Sequence, residues 1–254
     1  MHGACNDFVV IDRRSQRVES LNEFARWACN RREGIGADGL IAIEKTASSG
    51  LAMRTLNADG SEAEMCGNGI RCAARWLDEA GEGDRLEFAT PAGIVRTQVV
   101  VRRPEYVVKV EMGVPKILTV DSGDAVLVDM GNPHVVLFRE DVDGFDLPAA
   151  AQRFARDPAL PQGANVHVAS VEGGGRLRVR HWERGVGETP ACGTGAVACA
   201  AAAIAEDRAT APVDVLVPGG RLIVEWDGAG RATLTGPAVR VFDTEVPAAP
   251  FAER

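Results

Sequence analysis

The sequence has no run approaching the roughly 18 consecutive apolar residues that a membrane-spanning helix requires. Its longest apolar stretch lies around Ala196 to Ala205, which suits a buried helix, so no membrane partner is expected. Asp7 and Asp12 interrupt the only early apolar run, which argues against a signal peptide. Basic residues are in deficit, 28 against 36 acidic ones, for a formal net charge of -8 and a pI of about 5.1. A phosphate-rich partner needs a basic face, so no nucleic acid is expected. An anionic small molecule is still allowed, because one helix end or one arginine can hold a carboxylate. The only lysines are Lys45, Lys109 and Lys116, and none stands in a motif that reads as a Schiff-base site. The six cysteines form no C-x-x-C pair, and neither Cys66 with Cys72 nor Cys192 with Cys199 has metal-ligand spacing. No cofactor, no metal and no disulfide framework are expected, and a reducing, cytoplasmic setting is the default.

What the chain does have is material for a core. Its 254 residues are 46% hydrophobic and 25% charged, enough for one large domain or two small ones. It also repeats itself at an offset of about 126 residues, nearly half its length. Asn57-Ala-Asp-Gly-Ser-Glu-Ala-Glu-Met-Cys66-Gly-Asn-Gly69 aligns with Glu183-Arg-Gly-Val-Gly-Glu-Thr-Pro-Ala-Cys192-Gly-Thr-Gly195, and the same offset sets Asn6 on Asn132 and Gly39 on Asn165. With one further residue of offset, Cys72 meets Cys199 and Thr90-Pro-Ala-Gly93 meets Val217-Pro-Gly-Gly220. Several short blocks in one order at one spacing read as two similar domains.

Each half carries the same kinds of element. Asp7 to Asp12, Leu40 to Glu44 and Leu51 to Leu56 read as strands, and Arg176 to Trp182 alternates as one. Ser20-Leu-Asn-Glu23 has the form of a capping box opening a helix toward Arg31. Ile70, Ala73, Ala74 and Leu77 follow helical spacing after Cys66, with Gly81 as the stop. Gly193 to Ala205 is apolar all round, as an interior helix is. The expected class is α+β: two pseudo-symmetric domains, each of mixed or antiparallel strands wrapped around one central helix. The expected division is 1–113, joined by a last strand at about 240–254, and 114–239.

Cys66-Gly-Asn-Gly69 and Cys192-Gly-Thr-Gly195 both stand where apolar helices begin. A thiol at a helix start meets the positive end of the dipole, which favours the thiolate of a group that ordinarily titrates near ~8.5. The glycines leave helix-terminal N–H groups uncovered, and such groups bind carboxylates. Alone, either cysteine reads as a small buried hydrophobe. As a matched pair they suggest a thiol on each face of a carbon whose carboxylate lies between helix ends, the geometry of two-base proton exchange.

These residues resemble the diaminopimelate epimerase family. The resemblance rests on Met1-His-Gly-Ala-Cys-Asn-Asp-Phe8, Gly34-Ile-Gly-Ala-Asp-Gly39, Asn57-Ala-Asp-Gly-Ser61, Cys66-Gly-Asn-Gly-Ile-Arg71, Gly131-Asn-Pro-His134 and Glu183-Arg-Gly-Val-Gly-Glu-Thr-Pro-Ala-Cys-Gly-Thr-Gly195, and spans essentially the whole chain. It implies an isomerase that interconverts LL- and meso-diaminopimelate in lysine and cell-wall synthesis without pyridoxal phosphate or metal, as a homodimer. It implies Cys66 and Cys192 as acid and base, with His134 and Glu183 organising the reacting centre. Asn6, Asn57, Asn132, Asn165, Glu183 and Arg184 would contact the substrate, and Gly67-Asn68 and Gly193-Thr194 would hold its carboxylate through backbone N–H groups. Read without the family, Asn6 and Asn57 fit turn or capping positions, His134 fits a strand start, and Glu183-Arg184 fits a solvated ion pair.

Two positions depart from the family pattern: Cys5 stands where glycine is usual, before Asn6, and Gly39 stands where some members carry a glutamine that contacts substrate. The alternative activity is a related racemase or epimerase of proline, hydroxyproline or histidine, whose substrate would not need Asn57, Asn165 and Arg184. A two-domain amino-acid-binding protein is a rival of another class, but it has no use for paired reactive thiols.

Overall fold

The structure, a computed structural model, describes residues 1–48, 50–63, 65–118 and 125–246. The chain divides into two compact units, one formed by Met1–Val110 with the stretch from Pro237 onward, the other by Glu111–Gly236.

In the first unit the order is β1 (His2–Gly3), β2 (Asn6–Asp12), α1 (Leu21–Cys29), β3 (Gly39–Lys45), β4 (Leu51–Asn57), β5 (Glu62–Ala63), α2 (Gly67–Glu79), β6 (Arg85–Thr90), β7 (Gly93–Val101) and β8 (Val107–Glu111). The strands lie β1-β2-β3-β4-β6-β7-β8, with β5 also on β4; β2–β3 and β4–β6 run parallel and the rest antiparallel. Strand alternation gives the sheet two apolar faces. Leu40 and Ala42 of β3 pack with Leu21, Phe24, Ala25 and Ala28 of α1. Ile41, between them, faces α2, where a Cβ on Gly69 would come within 2.6 Å of its Cδ1.

Helix α1 forms because its buried residues Leu21, Phe24, Ala25, Ala28 and Cys29 make one stripe at helical spacing. The capping box expected at its start is not formed: the Ser20 side chain makes no cap hydrogen bond, and packing of the stripe holds the helix instead. Helix α2 ends as its sequence suggests. Gly81 takes a φ of +87°, its N–H bonds to Asp78 O, and Glu82 N–H bonds to Leu77 O, both at 3.0 Å.

The second unit runs β9 (Lys116–Leu118), β10 (Ala125–Asp129), β11 (Pro133–Phe138), α3 (Leu147–Ala155), β12 (Asn165–Glu172), β13 (Arg176–Glu183), β14 (Gly187–Thr189), α4 (Gly193–Ala205), β15 (Val213–Val217), β16 (Gly220–Glu225) and β17 (Thr233–Pro237). Its strands lie β9-β10-β11-β12-β13-β15-β16-β17, with β14 also on β13; β11–β12 and β13–β15 are parallel. Helix α4 is buried from Ala196 to Ala203 without a break and packs against β10, β11, β12, β13, β15 and β16. Among the described residues each unit holds two helices; both of the first unit's are expected from the sequence, but only one of the second unit's. The other is α3, capped by Asp146, whose carboxylate accepts from Ala149 N–H at 3.0 Å.

The repeat holds in three dimensions. Helices α1 and α3, and helices α2 and α4, have the same lengths and stand 126 positions apart. The parallel registers match as well: Phe8 lies opposite Gly39, and His134 opposite Asn165. The strand expected over 240–254 does not form over 240–246; a single bridge joins Val239 to His2, and 247–254 lie outside the described residues.

Candidate active site

In the first unit Cys66 is the residue that opens α2. Its extended backbone, φ -131° and ψ 112°, turns Sγ back over the first turn, where it accepts Gly69 N–H at 3.4 Å. The thiol faces Asn6 Oδ1 at 3.8 Å, and Asn68 Nδ2 donates to the same oxygen at 3.1 Å. Asn6 is held from behind, since its Nδ2 donates to Asp38 Oδ2 at 3.0 Å and Arg31 bridges Asp38 and Asp7. Asn68 is held by Arg71, which is fully buried and donates to Asn68 Oδ1, Gly67 O and Pro237 O at 2.9, 2.9 and 3.0 Å. Asn57 ends β4 opposite Gly39 and donates through Nδ2 to Ser61 Oγ at 2.9 Å.

In the second unit Cys192 opens α4 with nearly the same backbone, φ -122° and ψ 116°, and accepts Gly195 N–H at the same 3.4 Å. Thr194 Oγ1 lies 3.6 Å from its sulfur. Asn165 Oδ1 accepts Arg184 N–H at 2.9 Å, and its Nδ2 donates to Pro133 O at 3.5 Å. Glu183 accepts from Thr189 Oγ1 at 2.6 Å, and Arg184 Nη1 donates to Gln162 O at 2.7 Å. His134 is joined to Asn132 Oδ1 through Nε2, at 2.9 Å, and to His167 through Nδ1, at 2.8 Å.

Neither α2 nor α4 has an acidic residue in its first turn, so nothing there offsets the positive end of the dipole. The first-turn N–H groups of Gly67 and Asn68, and of Gly193 and Thr194, belong to the set that helix geometry leaves without intrahelical acceptors. The other interior thiols differ. Burial pushes Cys72 up to about 12 and Cys29 up to about 11, and it raises Cys199 too, so these stay protonated and inert at neutral pH.

Burial also keeps three histidines neutral. His134, with the Arg184 charge adding to burial, is brought down to about 3; His181 is likewise brought down to about 3, and His167 lies well below its usual range. Unfolded, each would take up a proton near the usual 6.5. The unfolded chain therefore binds more protons in between, and stability present above pH 6.5 is lost as pH falls toward 3. We expect thermal midpoints to fall steeply from about pH 6.5 to 4, and this slope to shrink in the triple variant His134→Phe, His167→Ile, His181→Thr. An equal slope in both proteins would assign acid lability to other groups.

The structure joins Asn6, Cys66 and Asn68 with Gly67 in one cluster, and Asn132 with His134, Asn165 with Arg184, and Cys192 with Thr194 in the other unit. The sequence reading missed Asp38, Arg31, Arg71, His167 and His181. Arg71 had a signal, a charge beside Ile70 on the buried side of α2. The Cys5 departure is accommodated with Cys5 at φ 62° and Ala4 at φ 55°, and Cys5 N–H bonds to His2 Nδ1 at 3.3 Å. That left-handed backbone is the one glycine adopts most readily. Gly39 has no space for a longer residue, since a Cβ would meet Leu56 O at 2.8 Å and Phe8 Cε1 at 3.2 Å.

A family model described as diaminopimelate epimerase matches residues 1–118 and 126–241. A diaminopimelate epimerase of Desulforudis audaxviator (strain MP104C) is 39% identical, over 96% of this chain and 96% of that one. Another, from Moorella thermoacetica, is 40% identical over 97% and 98%. Among solved structures, a phenazine biosynthesis protein of the PhzF family from Bacillus anthracis superposes with a TM-score of 0.73 at 17% identity, covering 92% of each chain. A probable proline racemase from Agrobacterium radiobacter K84, with bound carbonate, gives 0.69 at 16% identity, covering 99% of this chain and 92% of that one. At such identities the structures speak for the fold, and it is the α+β class expected from the sequence.

Proposed function

Because the chain belongs to the diaminopimelate epimerase family, we propose that it interconverts LL- and meso-diaminopimelate, with Cys66 and Cys192 as the two bases. One sulfur, as thiolate, removes the α-hydrogen as a proton, and the C–H electron pair passes toward the substrate carboxylate. The other, as thiol, gives its proton to the opposite face of the same carbon. Charge balances at each turnover, and the two thiols exchange roles for the reverse reaction. The carboxylate that takes up the electron pair is received by the N–H groups of Gly67-Asn68 and Gly193-Thr194, aimed where charge develops.

The observation that carries this reading is the identity of the two helix starts. Two cysteines 126 positions apart share one backbone conformation and one Sγ-to-N–H distance of 3.4 Å, each above a first turn free of acids. Asn57 and Asn165, with Glu183 and Arg184, supply amides, a carboxylate and a guanidinium for the second amino-acid head of the substrate, and Asn6 and Asn132 contact the substrate as well. His134 and Glu183 serve the reacting centre, His134 through Asn132. With this activity go a place in lysine and cell-wall precursor synthesis and a cytoplasmic homodimer.

The test is exchange of the α-hydrogen in deuterated water with LL-diaminopimelate, proline and histidine side by side. Exchange and epimerisation with diaminopimelate alone is the expected result. Exchange with proline or histidine, and none with diaminopimelate, would move the chain to the alternative activity.

A further inference from the structure

The chain has four histidines, and three of them form one buried line that neither the two-thiol chemistry nor packing explains. His134 Nδ1 meets His167 Nε2 at 2.8 Å, and His167 Nδ1 meets His181 Nδ1 at 2.9 Å. At one end His134 Nε2 meets Asn132 Oδ1 at 2.9 Å; at the other, His181 Nε2 is buried and has no hydrogen-bond partner among the described residues. We infer that His167 and His181 are positioning residues for Asn132: with His134 they form a one-way chain that turns the Asn132 amide so that its Nδ2–H2 is the group left for the substrate.

A neutral imidazole has one N–H and one bare nitrogen, so each link needs a donor on one ring and an acceptor on the next. Only two arrangements satisfy both links. In one, every N–H points toward Asn132: His134 and His167 are protonated on Nε2 and His181 on Nδ1. In the other, every N–H points away, Asn132 must offer an N–H to His134, and a buried N–H is stranded on His181 Nε2. The structure has Oδ1 of Asn132 facing His134, which selects the first. A stranded buried N–H is among the rarest groups in folded proteins, which favours the same choice. With Oδ1 committed, Asn132 can only donate from its other side. The partner it suits is an acceptor, and on the epimerase reading that acceptor is a carboxylate oxygen of the amino acid.

The other unit shows that packing alone does not call for imidazoles here. The repeat sets Phe8, Ile41 and Thr55, all buried, where the second unit has His134, His167 and His181. Gly69 lies as close to Ile41 as Gly195 does to His167, both at 2.6 Å from the position of a Cβ. There the amide of Asn6 is fixed by Asp38 and Asn68, and its oxygen is turned toward the Cys66 thiol. The two units therefore hold equivalent asparagines by different devices.

The first measurement is the 15N spectrum of the imidazoles in protein labelled at histidine, where N–H and bare nitrogens separate in shift. His134 and His167 should be protonated on Nε2 alone and His181 on Nδ1 alone at neutral pH. The reversed pattern, or an imidazolium in the line, would overturn the inference. The second compares His167→Ile with His167→Gln. Isoleucine breaks the chain and should raise KM for diaminopimelate about tenfold, with kcat nearly unchanged, as for loss of one hydrogen bond to a charged group. Glutamine can donate toward His134 and accept from His181, and should keep KM near the unsubstituted value. An unchanged KM in His167→Ile overturns the inference; if that variant does not fold, the spectrum and His167→Gln decide. The spectrum needs no substrate, so an enzyme inactive on diaminopimelate would refute the epimerase reading and leave the chain's direction still measurable.

Discussion

Cys66→Ser and Cys192→Ser are each expected to cut epimerisation by roughly 10²–10⁴-fold or more, the usual worth of a positioned acid or base, with the fold unchanged. A hydroxyl is a far weaker acid than a thiol, so serine carries no usable anion near neutral pH. The fold should survive because serine is a preferred residue at a helix start. Its oxygen can accept the Gly69 or Gly195 N–H that the sulfur now accepts at 3.4 Å. Cys72→Ser and Cys199→Ser should behave in the opposite way, lowering stability through a buried hydroxyl while sparing turnover. Turnover and thermal midpoint measured on all four variants check the assignment. Near-normal turnover in either Cys66→Ser or Cys192→Ser removes that residue from the base pair.

Arg71→Ala should be the most destabilising single change in the first unit, by about 3–5 kcal/mol. Arg71 is fully buried, and burial draws its guanidinium down to about 10, still charged at neutral pH. Its fork ties Gly67 O and Asn68 Oδ1 at the start of α2 to Pro237 O, 166 residues away. Alanine would remove three side-chain hydrogen bonds and leave a cavity the size of a side chain. Gly3 packs against it so closely that a Cβ there would lie 2.9 Å from Nη2. Arg71→Lys should recover only part, because one ammonium cannot span the three acceptors as a planar fork does. A urea midpoint in Arg71→Ala equal to that of the unsubstituted protein would show that the buried charge contributes nothing net.

Most of the architecture is legible in the sequence, because its signals are local. Short apolar stretches mark β2, β3 and β4, alternation marks β13, helical spacing marks α2, and unbroken apolarity marks α4. The repeat carries the rest by showing that each element has a counterpart. Helix α3 escaped because Leu147-Pro-Ala-Ala-Ala-Gln-Arg-Phe-Ala155 is short and alanine-rich, and its stripe rests on only Leu147, Ala151 and Phe154. The Ser20 box misled because its pattern states that a cap can form, while the chain's entry angle decides whether it does. Cys66 and Cys192 can be picked out in the sequence because the Cys-Gly-x-Gly pattern lies within four consecutive residues. His167 and His181 cannot be, because they become partners only through strand register, opposite one another in the β12–β13 ladder. Asp38 reaches Asn6 across 32 positions and Arg31 reaches Asp7 across 24, and no local pattern encodes those meetings.

The closure of the first unit by residues from Pro237 onward has a consequence for the order of synthesis. A ribosome delivers residues 1–110 first, yet the backbone oxygens of Pro237 and Ala238 that receive Arg71 and Arg75, and the bridge from Val239 to His2, arrive more than 120 residues later. The second unit is continuous in sequence and has all of its strands once Gly236 has emerged. Until then the earlier-made half must wait with a buried arginine lacking one of its acceptors. The segment made first is therefore the last to be completed, the reverse of the N-terminal-first order usual for chains of several domains.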